Sequence, residues 1–128
     1  MKALLLGLLF TAHFNALLQQ QERGPHGGRM KQSGRFKIEL LGCTGHVEVY
    51  LLDNEGQAMS NYDIKGKVNF VFKNKTGPDI PLQAYGRDGF SANIPQSDFF
   101  NCIVTIEILS SPITATFECE CAQVTDSK

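Results

Sequence analysis

The sequence predicts an all-β fold, an Ig-like antiparallel β-sandwich of about seven strands preceded by a signal peptide. Three observations carry this. Apolar and polar residues alternate with period two from Phe36 onward. Turn residues interrupt the runs every ~8–12 residues, the spacing of a sandwich. No stretch sustains apolar residues at i, i+3 and i+4 for long enough to make a helix.

The chain opens with MKALLLGLLFTAHFNALLQQQ. Lys2 is a short basic region, and residues 3–10 are unbroken apolar. This is the pattern of a secretory signal peptide, expected over 1–18 with cleavage near 16–18. The apolar run is too short to cross a bilayer core of ~30 Å, so no membrane span is expected after cleavage. The expected location is periplasmic or secreted.

Residues 19–34 are polar and Gly-rich, and read as a flexible leader. The sandwich domain is expected over 35–123, with a tail at 124–128.

Within the domain each strand can be read by its inward face. Phe36, Ile38 and Leu40 share a face, with Lys37 and Glu39 turned outward. Val47, Val49 and Leu51 form the next, opposed by His46, Glu48 and Tyr50. DNEGQ then turns. Val68, Phe70 and Phe72 follow, then the turn NKTGPD, then Ile80, Leu82 and Ala84. After GRDG come Phe90, Ala92 and Ile94. In the last two runs Cys102, Val104, Ile106 and Ile108 share a face, as do Ile113, Ala115, Phe117, Cys119 and Cys121, and both sets point to the core. A loop at Ser110 and Ser111 would set Ile108 against Ile113 and Cys102 against Cys119. A two-residue slip would set Cys102 against Cys121. A one-residue slip is disfavoured, because it opposes apolar to polar side chains.

Cys43, Cys102, Cys119 and Cys121 are the cysteines of the processed chain. In an exported domain an even count favours disulfides, and four cysteines allow three pairings. Cys119 and Cys121, with Cys102 as a third thiolate, are the alternative: a soft-metal clamp. The disulfide or buried-thiol reading outweighs it in an oxidising compartment.

The formal net charge is −1 and no charge run stands out, so a nucleic-acid partner is not expected. The sequence has no nucleophile elbow, phosphate-cradling Gly loop or HExxH motif, so no enzyme is expected. His26 and His46 are the histidines outside the signal segment, and imidazole is the commonest metal ligand.

The segments PHGGRMKQSGRFKIELL and VEVYLLDNEGQAMSN resemble those of small exported bacterial β-sandwich proteins with a Pro-His-Gly-Gly leader. Similar segments occur in proteins associated with periplasmic heavy-metal efflux, copper above all. The resemblance implies His26 and Glu39 as functional positions, with His46 as a further candidate metal ligand. It implies copper or zinc as the bound ion and a metal-efflux or envelope protein as partner. The cysteines do not match that pattern. The alternative is a structural or protein-interaction module without metal, stapled by disulfides.

Overall fold

The computed structural model describes residues 22–42, 45–95, 100–109 and 111–119, without the side chains of Phe100 and Cys119. The expected signal peptide, the expected tail, Cys43, Cys121 and the side chain of Cys119 lie outside these residues. No disulfide pairing is therefore assigned.

The described chain is an antiparallel β-sandwich. One sheet contains β1 (Arg29–Ser33), β2 (Phe36–Leu41), β3 (His46–Leu52), β7 (Gln83–Tyr85) and β8 (Gly89–Asn93), in the order β1-β2-β3-β8-β7. The second contains β4 (Lys65–Phe72), β5 (Lys75–Thr76), β9 (Phe100–Ile108) and β10 (Ser111–Cys119), in the order β10-β9-β4-β5. The short strand β6 (Ile80–Pro81) pairs with β4 beside β5. Among the described residues the strands number ten, where about seven were expected. The difference lies in β1 and in the short pieces β5, β6 and β7. Pro81 lacks the N–H that a longer ladder would use. The chain leaves the second sheet there and enters the first at β7.

The core follows the period-two reading except at Ala84, expected inward but exposed in the short edge strand β7. Ile38 and Leu40 of β2, Val47, Val49 and Leu51 of β3, and Phe90 and Ala92 of β8 face Val68 and Phe70 of β4. Cys102, Val104 and Ile106 of β9 and Ala115 and Phe117 of β10 complete it. Phe70, Phe90 and Phe117 are fully enclosed. Each contributes roughly 2–3 kcal/mol of apolar transfer.

Two expectations need correction. Arg29–Ser33 is not part of a flexible leader but strand β1, paired with β2 from Arg29 opposite Leu40 to Ser33 opposite Phe36. The tight turn at Gly34 and the Pro-His-Gly-Gly turn at its other end hold it. Its free edge is closed against β10: the Ser33 hydroxyl donates to the Thr114 carbonyl at 3.0 Å and accepts from the Thr114 amide at 3.2 Å. The Arg29 guanidinium donates to the Glu118 carbonyl.

The register of the last hairpin also differs. Ser111 opposes Ile108, Ile113 opposes Ile106, and Phe117, not Cys119, opposes Cys102. Cys119 opposes Phe100. The connection lies one residue earlier than expected, between Ile108 and Ser111, and its Leu109 is left-handed (φ 56°) and almost wholly exposed. The offset is two residues, so every side chain keeps its face.

Candidate functional site

The site is built on the outer face of the first sheet. Glu39 alternates with Ile38 and Leu40 and so points away from the core. It is nevertheless fully buried, with 0% exposure. The turn before β1 folds over it. Gly27 (φ 87°) takes the left-handed conformation that the turn requires. The Gly27 amide donates to the Gly24 carbonyl at 3.0 Å, and the Gly24 amide to the Gly28 carbonyl at 2.9 Å.

A buried carboxylate needs partners for its lone pairs. Glu39 Oε2 accepts from the His26 amide and the Gly28 amide, both at 2.9 Å. Its Oε1 lies 2.8 Å from His26 Nδ1. The ionised carboxylate only accepts, so Nδ1 carries the hydrogen. In the neutral imidazole the lone pair then sits on Nε2.

The glycines are dictated by this packing. A Cβ on Gly24 would lie 2.3 Å from the Glu39 carboxyl carbon, and one on Gly28 would lie 2.4 Å from the Leu40 carbonyl oxygen. PHGG and Ile-Glu-Leu are thus two halves of one latch.

The His26 ring stacks on Tyr50, with centroids 3.6 Å apart and planes 10° from parallel. Tyr50 crosses Gly89, where a Cβ would lie 2.7 Å from its ring. Its hydroxyl donates to Glu48 Oε1 at 3.0 Å. Burial, and then the Glu48 carboxylate, push the Tyr50 phenol up to about 12. Glu48 Oε2 lies 3.2 Å from His46 Nε2. His26 Nε2 faces the Asp88 carboxylate, with Oδ2 at 3.7 Å.

His26 and Glu39 therefore meet directly. His46 reaches them only through Glu48 and Tyr50. Among the described residues, no group of three or more His, Cys, Asp or Glu side chains is placed to share one metal ion. Glu39 accepts three hydrogen bonds within the latch, and one of them orients His26. Carboxylates commonly fix ligating histidines this way. Two donor atoms remain at the half-exposed rim: His26 Nε2 and Asp88 Oδ2.

Sequence reasoning missed Tyr50, Glu48 and Asp88 as site members. Positions 46, 48 and 50 alternate on one face, so a signal for the first two was present. Asp88 follows from the fold alone, because it lies in the β7–β8 turn. The DNEGQ segment is a turn: Asp53 Oδ1 accepts the Glu55 and Gln57 amides, both at 2.9 Å. Among the described residues no helix is long and apolar enough to cross a membrane. Comparisons with protein-family models, curated proteins and solved structures return no match.

Proposed function

We propose that the protein is an exported, non-enzymatic β-sandwich protein that binds or hands on a transition metal through His26, copper first and zinc second. The observation that supports this is the buried Glu39 carboxylate holding His26 Nδ1 at 2.8 Å, which turns Nε2 outward as the ligating atom. Asp88 Oδ2, 3.7 Å from that nitrogen, would be the second donor. Two donors each about 2.1 Å from one tetrahedral ion stand ~3.4 Å apart, so a small rotation of Asp88 would seat one. An imidazole nitrogen and a carboxylate oxygen suit Cu(II) and Zn(II). The remaining positions would be filled by water or by a metal-efflux or envelope partner, as the resemblance to efflux-associated proteins suggests. A two-donor seat fits transient handling better than storage.

A second reading is a structural or interaction module without metal. The observation favouring it is that both Glu39 oxygens already accept from this chain, with three donors in all.

Calorimetric titration of the processed protein with Cu(II) and Zn(II) separates the two. The metal reading expects one ion per chain, an affinity at least about tenfold weaker in His26→Ala, an intermediate loss in Asp88→Asn, and no change in His46→Ala. Equal affinity in the wild-type protein and His26→Ala, with both folded by circular dichroism, would sink it and leave the module reading.

A further inference from the structure

At one end of the sandwich, away from the latch, a cleft of about 460 Å³ opens beside the β4–β5 hairpin. Phe70, Phe72 and Ile80 give it an apolar floor. Pro78 and Pro95 stiffen its walls. Lys73 and Lys75 stand at its lip: Lys73 (φ 50°) and Asn74 (φ 67°), both left-handed, form the two-residue turn, and Lys75 follows it at the start of β5. The turn type is the one that fits a tight hairpin, so the two ammonium groups are mounted on a rigid support.

Among the described residues the charge at this lip has one sign, and no carboxylate lines the cleft. Asp79, next to Pro78, is taken by Lys67 Nζ at 3.0 Å and Asn69 Nδ2 at 2.5 Å. None of the ion pairs among the described residues engages Lys73 or Lys75. The volume lies within the ~300–1,000 Å³ of small-molecule sites, which likewise combine an apolar lining with a few polar groups.

We propose that this cleft binds a single amphiphilic anion, a medium-chain fatty carboxylate. Its alkyl chain lies on Phe72, Pro78 and Ile80, and its carboxylate lies between Lys73 and Lys75. The apolar floor selects against small hydrophilic anions such as inorganic phosphate. The lysines select against neutral alcohols of the same length.

The test is titration of the processed protein with decanoate and with decanol, below their self-association concentrations, followed by amide chemical shifts and calorimetry. Decanoate is expected to bind at one per chain and to shift amides from Phe70 to Ile80. Decanol, and decanoate with the Lys73→Glu/Lys75→Glu variant, should each bind about tenfold more weakly, the loss of two exposed charge contacts. Both lysines are exposed, so the variant keeps the fold. The proposal is overturned by shifts centred elsewhere, by equal binding of the alcohol, or by undiminished binding in the variant. Binding to anionic lipid vesicles without binding of monomeric decanoate also overturns it.

Discussion

Replacing Glu39 tests the latch most directly, and two replacements separate its roles. Glu39→Ala removes the acceptor for the His26 and Gly28 amides, each at 2.9 Å, and for the imidazole at 2.8 Å. The Gly28 amide hydrogen bond is buried. A buried donor left without a partner costs ~1–3 kcal/mol. The His26 ring is 27% exposed, so it recovers hydration and adds little. With a smaller share from the part-buried His26 amide the sum is ~2–3 kcal/mol, which lowers the thermal midpoint by roughly 8–24 °C for a domain of this size.

Glu39→Gln behaves differently. The amide oxygen can take both backbone N–H groups, since one carboxylate oxygen already accepts both. The amide NH₂ then faces His26 Nδ1 and must donate to it. The ring switches tautomer and its hydrogen moves to Nε2. Stability should fall by only ~1 kcal/mol, because charge-assisted bonds become neutral ones while the desolvation of a buried charge is relieved. Metal affinity should fall as far as in His26→Ala, since Nε2 no longer offers a lone pair. Thermal denaturation and ¹⁵N imidazole shifts read the two effects separately. A Glu39→Ala protein as stable as wild type, or a Glu39→Gln protein with its imidazole tautomer unchanged, would refute the reasoning.

Three further outcomes follow from the same coordinates. Gly28→Ala pushes a methyl to 2.4 Å from the Leu40 carbonyl oxygen, and should cost ~1–3 kcal/mol of overpacking in urea denaturation. Tyr50 has its phenol raised from 10.0 to about 12, so the folded chain keeps a proton that the unfolded chain releases. Its stabilising contribution is whole below about pH 10 and is lost as pH rises towards 12, up to ~3 kcal/mol. Urea midpoints measured across that range should fall more steeply in wild type than in Tyr50→Phe. The Asp79 carboxyl is held below its usual range by hydrogen bonds from Asn69 and then Lys67, so Asn69→Ala should move its NMR titration upward.

The core was legible because β-strands encode it in parity. Ile38 and Leu40, Val68 and Phe70, and Ala115 and Phe117 are buried as their alternation requires. Parity has a blind spot, and the last hairpin falls in it. A two-residue offset leaves every face unchanged, so only the turn at Leu109 decides that Cys102 meets Phe117. Alternation also placed Glu39 correctly on the outer face. It could not reveal that a turn made of residues 22–28 covers that face, because the covering depends on contacts thirteen and eleven positions away in sequence. For the same reason the leader reads as loose when taken alone. It becomes strand β1 only once Glu39 supplies its acceptors. Asp88 reaches His26 across sixty-odd residues through sheet pairing, and nothing local to either announces it.

The latch also constrains which changes the chain can accumulate, and in what order. A side chain at Gly24 collides with the Glu39 carboxyl group and with nothing else that is closer. Once position 39 is alanine, that obstacle is gone. Gly24→Ala, harmful in the wild-type background, should be nearly neutral in the Glu39→Ala background. Gly28 is different: its obstacle is the Leu40 backbone, which no substitution at position 39 removes. Two glycines four residues apart thus have opposite histories open to them. One is held by a side chain and can be set free by a single earlier mutation. The other is held by the main chain of the sheet and stays fixed as long as β2 does.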